Sequence, residues 1–393
     1  MTGRRRAAAI LATIVGATFF LGSQPAAAKN TTATNALQRF TPLYMATGSK
    51  PTEAEAIAIA RDFDLVAEHA GVLTPYLAAM KAANPSLKVL AYINGAFDQS
   101  AAGNLYPMSW YAVGANGKRI RSKAFGNWLM LPTAQWASTV ATLCKKTNAS
   151  SKYDGCFLDT LGIAPLSPGY VTAPPINPAT HQVFTPQTWI ADQSNTITAT
   201  KNGNRGKLIM ANGLHDGSKF SITQPLLTAD GTAMAEVWLR VSTNSEDSWP
   251  SLAVWNQDVS MLVTAGSKGE VIGVVTKLWT NATAAQVTQW HIFMIATFLM
   301  GTNGHSWYCF TAAKSVAGMS EDSPLDHTAI GTPTGAMTLK GGVYTRAYSN
   351  GMAAVNPGTS SVTIQLGGSY LNLEGKKVTS ETLPAHSGEV FIK

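Results

Sequence analysis

Cysteine is scarce in this sequence, with three residues at Cys144, Cys156 and Cys309, and no histidine pair stands near them at metal-ligand spacing, so a zinc module has no ligand set. No glycine-rich phosphate loop links the first strand-like segment to its helix, which removes the usual dinucleotide fold. No Gly-x-Ser-x-Gly elbow occurs, so an esterase of that type lacks its activated serine. Only 13% of residues are charged, and lysine and arginine read as scattered, without the basic stripe and interleaved aromatics that nucleic acid requires. Apart from Ala7 to Gly22 no apolar run approaches a membrane span, since Ile292 to Met300 is too short.

At the N-terminus, Arg4 to Arg6 precede that apolar run, and Gln24-Pro25 with Ala26 to Ala28 follow it. This is the order of a secretory signal peptide over residues 1–28, and a run of 16 residues is short for the alternative, a retained anchor. Cleavage after Ala28 would remove Arg4, Arg5 and Arg6 and take the formal charge from +7 to +4. The expectation is an exported protein, not held at a membrane after cleavage. In an oxidising compartment Cys144 and Cys156 are close enough in sequence to bridge a helix to the next strand.

Residues 29–38 are polar and read as a flexible arm. From there strand-like and helix-like segments alternate. Strands are expected at 40–46, 64–68, 87–93, 155–158, 207–211, 232–238, 271–278 and within 305–310. Helices are expected at 52–63, where Thr52 and Glu55 form a capping box, and at 74–84, 133–145, 186–200 and 284–300. Long loops, 95–131 and the proline-rich 162–185, interrupt the rhythm, and loops of that length inside a domain are usually functional. Eight strands over about 270 residues fit one closed parallel (β/α)8 barrel, residues 39–324. After Pro324 short alternating runs separated by Asn-Gly, Asn-Pro-Gly and Gly-Gly turns predict a small antiparallel β domain over 325–393.

In such a barrel chemistry belongs at the C-terminal strand ends. Asp159 closes the apolar run Gly155-Cys-Phe-Leu158, and Glu236 lies inside the apolar stretch 233–239. Each carboxylate has two readings. A buried acid needs either a structural hydrogen-bond network or a role in a cleft, and Glu236 could simply pair with Lys277 or Arg240. His69, likewise, is either a rim histidine or a ligand contact. Two carboxylates facing one another across a cleft are what glycoside hydrolysis uses.

Several motifs together carry a resemblance. Tyr153-Asp-Gly-Cys-Phe-Leu-Asp-Thr-Leu-Gly162, Met210-Ala-Asn-Gly213, Ala233-Met-Ala-Glu-Val-Trp238, Phe298-Leu-Met-Gly301 and Tyr344 to Gly351 with Val355-Asn-Pro357 resemble hypothetical glycosyl hydrolase family fifteen, a group of barrel proteins related to the alpha-amylases and alpha-galactosidases. The resemblance runs from about Phe40 to the C-terminus. It implies a nucleophile or charge-stabilising carboxylate at Asp159 and a proton donor at Glu236, where those relatives commonly carry aspartate. It also implies a carbohydrate substrate and no cofactor. Asn94, Asn212 and Lys277, with the aromatics Tyr44, Trp128, Trp238 and Trp279, are the expected sugar contacts, and His69 and Arg240 are further candidates. Asp159 is expected to stay ionised beside Asn94, Asn212 or Lys277, and Glu236 to hold its proton through desolvation by Met234 or Trp238. The carboxyl groups should stand about 5 to 5.5 Å apart, as retention of configuration requires. The competing reading is a catalytically inactive barrel that binds cell-wall or extracellular glycan.

Overall fold

The structure, a computed structural model, describes residues 35–393. Residues 1–28, read from the sequence as a signal peptide, and residues 29–34 lie outside the described residues. Eight parallel strands close into a barrel: β1 (Gln38–Thr41), β2 (Leu65–Glu68), β3 (Lys88–Asn94), β4 (Gly155–Asp159), β5 (Leu208–Asn212), β6 (Thr232–Ala235), β7 (Val271–Lys277) and β8 (Trp307–Thr311). Each strand sends at least one side chain into the lumen: Phe40, Leu65 and Ala67, Leu90, Phe157, Met210, Met234, Val275 and Cys309 pack there as one cluster. Gly273 of β7 also faces inward, and a Cβ there would stand 2.5 Å from the Met210 methyl, so the missing side chain makes room for its neighbours.

Several boundaries differ from the sequence reading: the strand expected over 232–238 ends at Ala235, and the helix expected over 133–145 runs Ala134–Ser151. The first strand starts earlier and ends earlier than 40–46, because Pro42 turns the chain into a short 3-10 helix, Leu43–Met45, which carries Tyr44. The end of the expected arm is packed rather than flexible: Ala36 and Leu37 are buried and Gln38 opens β1. The capping box at Thr52 and Glu55 is present on helix Glu53–Asp62.

The seam between β1 and β8 pairs only Gln38 with Trp307 and Arg39 with Tyr308. Behind it lies a buried polar cluster. Asp326 sits in the 3-10 helix Pro324–His327, and its Oδ2 lies 3.2 Å from Arg39 Nη2. Its Oδ1 accepts from the Tyr308 hydroxyl at 2.9 Å and meets His291 Nε2 at 3.0 Å. Burial alone would raise this carboxyl, but His291, Arg39 and Tyr308 together bring it below the ordinary aspartate value. Asp326→Asn should therefore destabilise the fold by about 1.5–3 kcal/mol, the cost of charge-assisted hydrogen bonds, because Arg39 keeps a second ion pair with Asp322 at 2.5 Å. A depressed folded pKa stabilises fully above the unfolded value near 4 and stops doing so as pH falls through the folded one. Denaturant midpoints at pH 7 and below pH 4 check this. The variant should lose less stability than the parent on acidification.

Beyond the barrel a six-stranded antiparallel sheet is built from β9 (Thr338–Lys340), β10 (Val343–Tyr348), β11 (Gly351–Asn356), β12 (Val362–Leu371), β13 (Lys377–Leu383) and β14 (Ser387–Ile392), in the order β9-β10-β11-β14-β12-β13. It packs on the helix Ala284–Gly301, where a Cβ on Gly388 would meet Ala296 at 2.5 Å.

Candidate active site

The pleat fixes which residues reach the barrel mouth. A side chain two positions beyond a lumen residue points the same way, so the step from lumen to mouth runs Leu90 to Tyr92, Phe157 to Asp159, Met210 to Asn212, Met234 to Glu236 and Val275 to Lys277. These five side chains form one connected set. Asn212 Nδ2 donates to Asp159 Oδ1 and to Glu236 Oε2, both at 2.7 Å. The Tyr92 hydroxyl donates to Asp159 Oδ2 at 2.9 Å, and Lys277 Nζ meets Glu236 Oε1 at 2.6 Å. Glu236 stands on the first residue after β6 rather than inside the strand.

Asn94 acts at one remove. Its Nδ2 donates to the Tyr92 hydroxyl at 3.1 Å, while its Oδ1 accepts from the amides of Ala96 and Phe97 and turns the chain into the long loop. Tyr44 packs its ring on Tyr92 and Phe157 at 4.8 and 4.9 Å, with its buried hydroxyl beside Asn212. His69 lies exposed at the rim, 4.4 Å from the Tyr92 ring. Trp279, partly buried, lies under the ammonium groups of Lys277 and Lys314.

Three expected sugar contacts stand elsewhere. Trp238 is fully buried and donates its indole N–H to the Asp258 carbonyl. Arg240 is buried too, stacked over Trp290 with one nitrogen donating to the Asn244 carbonyl, so it pairs with neither carboxylate. Trp128 lies in the loop after β3 under the guanidinium groups of Arg119 and Arg121, at 4.0 and 4.5 Å, which leaves its face to the arginines. Asp258 holds the loop that bears Glu236 by accepting from the amides of Leu239 at 3.0 Å and Gly217 at 2.7 Å.

Protonation differs from expectation. Burial and the nearby charge of Glu236 raise the Asp159 carboxyl, against the donors Asn212 and Tyr92. Burial also pushes Glu236 upward, but the Lys277 ammonium, its hydrogen bond, Asn212 and the charge of His215 together carry Glu236 below the ordinary glutamate value. Lys277, a candidate partner for either carboxylate, pairs with Glu236, and Asp159 is the carboxyl that burial and charge raise. Tyr170, from the proline-rich loop, is pushed up to about 12 by burial and by the charges of Asp159 and Glu236. Cys144 and Cys156 are disulfide-bonded with Cα atoms 5.9 Å apart, and Cys309 is buried as a free thiol in the lumen.

The model of a family described as Hypothetical glycosyl hydrolase family 15 matches residues 81–352. Among solved structures, a noncanonic maltogenic alpha-amylase from Thermotoga neapolitana is 9% identical, with 92% of this chain and 100% of that chain covered and a TM-score of 0.52. A GH31 dextranase from Flavobacterium johnsoniae, complexed with glucose, is 10% identical over 92% of this chain and 52% of that chain, also at 0.52. At this identity the likeness is one of fold. No curated protein matches in sequence.

Proposed function

Starting from the fact that the chain belongs to hypothetical glycosyl hydrolase family 15, we propose that it hydrolyses O-glycosidic bonds of a poly- or oligosaccharide with Asp159 and Glu236 as its two carboxylates and with retention of configuration. One observation carries this reading. A single Asn212 nitrogen stands 2.7 Å from an oxygen of each carboxylate, so those oxygens are at most about 5.4 Å apart. Inverting enzymes need about 6.5 to 9.5 Å to seat a water between acid and base, and retaining ones about 5 to 5.5 Å. In the retaining sequence one carboxylate bonds to the anomeric carbon as the other protonates the departing oxygen. The second then takes a proton from water, and that water cleaves the glycosyl ester.

Two divisions of labour have support. Asp159 as nucleophile and Glu236 as acid follows from the strand-four position and from two neutral donors orienting Asp159. The exchanged roles follow from the order of proton affinities, since Lys277 keeps Glu236 charged. Azide decides between them. With the nucleophile removed, azide attacks directly and gives a glycosyl azide of inverted configuration; with the acid removed, azide opens the glycosyl ester and gives a retained one. Asp159→Gly and Glu236→Ala, each assayed with an activated glycoside, supply the two cases. Inverted product from hydrolysis by the parent protein would overturn retention altogether.

Lys277→Met provides a second readout. Losing the ammonium raises the Glu236 carboxyl, so one limb of the kcat/KM profile moves to higher pH. The alkaline limb moves if Glu236 is the acid, and the acidic limb if it must be ionised. A profile unmoved in both limbs would remove Glu236 from the chemistry.

The reading extends to location. The signal-like order of residues 1–28 and a disulfide between Cys144 and Cys156 support export, where a polysaccharide would be met. Among the described residues no helix is long and apolar enough to cross a membrane. Mass spectrometry of the mature N-terminus from culture medium tests this, and an intact Met1 on cell-bound protein would contradict it.

A further inference from the structure

The loop between β3 and the helix Ala134–Ser151 gathers charge that the linear sequence hides among scattered lysines and arginines. Lys118, Arg119, Arg121 and Lys123 fall within six positions, and Asp98 is the only acidic residue from 95 to 131. Asp98 is buried and already accepts from Tyr111, at 2.6 Å, and from Ser100. Among the described residues no carboxylate forms an ion pair with any of the four cations.

The backbone holds this strip like an edge strand. Arg119 bridges Val113, Arg121 bridges Trp128, and Ser122 bridges Val171. Ile120 and Ser122 turn inward and are buried, so Arg119, Arg121 and Lys123 share the opposite face at the two-residue period of a strand. Both guanidinium groups lie over Trp128, each with one hydrogen bond to a carbonyl, Gly103 for Arg119 and Gly126 for Arg121. The stack fixes their planes and leaves most of their N–H donors unused. They line an open cleft of about 450 Å³ with Asn116, Lys118 and Thr172, a size in the range of ligand sites.

The strip also reaches the carboxylates through one residue. The Lys123 amide donates to the Tyr170 carbonyl at 2.9 Å, and the Tyr170 hydroxyl senses the charges of Asp159 and Glu236. The exposed ring of Phe125 stands at the turn of the same hairpin.

We propose that this cleft is a subsite for the anionic group of an acidic glycan, a uronate carboxylate or a sulfate ester. It deepens the hydrolase reading by naming the substrate class, and it rests on that reading only for the claim that the bound glycan is also cut. Planar guanidinium forks held on an indole suit a two-oxygen anion. Four cations with no carboxylate partner among the described residues repel one another unless an anion joins them.

The test is binding, not turnover. Full-length protein is run in affinity gels containing polygalacturonate, dextran sulfate or neutral dextran, at low and at near-physiological salt. Retention by either anionic polymer but not by dextran is expected, and which one is retained identifies the anion. Arg119→Gln with Arg121→Gln should weaken retention at least tenfold. Lys340→Gln with Lys377→Gln, on the distant C-terminal sheet, changes net charge equally and should not. If the arginine pair fails to fold, Lys118→Gln with Lys123→Gln spares the Trp128 stack and should still weaken retention severalfold. Equal retention by dextran, equal loss in the control pair, or arginine-dependent retention by single-stranded DNA would each overturn the proposal. Arginine-dependent retention in a protein that hydrolyses none of these polymers would leave the subsite standing and count against the hydrolase reading alone.

Discussion

Asp159→Asn and Glu236→Gln should each lower kcat by at least about a hundredfold, and Asp159→Asn should leave stability within about 1 kcal/mol of the parent. Each exchange keeps the side chain's shape. An amide in place of Asp159 still accepts from Asn212, and one in place of Glu236 still offers an oxygen to Lys277, so the mouth network has no large hole to collapse into. What disappears is chemistry: an amide neither bonds to an anomeric carbon nor gives up a proton. Removing one acid–base participant costs about 10² to 10⁴ in rate, and removing a covalent nucleophile typically more. Glu236→Gln carries one further expectation, because the buried Lys277 loses its counter-charge and stability should fall by about 3–5 kcal/mol at neutral pH. The measurement is initial rate on the best substrate from a polysaccharide screen, beside a denaturation curve for each variant. Turnover at the parental rate in either one would strike that residue from the mechanism. A binding-only barrel would show no rate to lose, and intact glycan affinity in both variants would then be its signature.

The site was partly legible because a strand has a period of two. Asp159, Asn212 and Lys277 end strands whose lumen residues sit two positions earlier, so recognising the strand was enough to aim the side chain. The same rule applied from Leu90 would have found Tyr92, which the reading passed over in favour of Asn94 at the strand terminus. Once the strand ends the rule lapses. Trp238 and Arg240 lie beyond β6 in a loop where Leu239 takes a left-handed backbone (φ 67°), and that turn sends both into the core rather than the cleft. Trp128, one of the expected sugar contacts, has its ring covered by Arg119 and Arg121, which lie nearby in sequence. Protonation was less legible still. Whether Lys277 serves Asp159 or Glu236 is settled by neighbouring strands around the barrel: β6 lies beside β7 while β4 does not, so the ammonium meets Glu236 first.

A chain ending at Pro333 should fail to accumulate as a soluble, folded barrel. The helix Ala284–Gly301 explains why. Its residues from Phe293 to Gly301 are all buried, and a helix apolar on every face needs cover on every face. The barrel covers one side, and the six-stranded sheet covers another with Gly388 lying directly against Ala296. The helix C-terminus also depends on the sheet. Arg346 Nη1 donates to the carbonyls of Leu299 and Met300 at 3.1 Å and of Thr302 at 2.7 Å, and the Tyr348 hydroxyl donates to Leu299 as well. Those last carbonyls have no partner within the helix, and without Arg346 and Tyr348 they would face the gap left by the sheet. At the other end of the helix His386 stacks on Trp249, which stacks on Trp290 at 3.8 Å. Truncation would therefore bare a broad apolar surface, which drives association. Arg346→Ala is the graded version: it removes three charge-assisted bonds from one helix end and should cost about 2–3 kcal/mol without loss of solubility. Soluble expression and size-exclusion profiles of the truncated chain, with denaturation of Arg346→Ala, make the measurement. A monomeric truncated barrel with parental activity would show that the sheet is dispensable and that some other surface covers the helix.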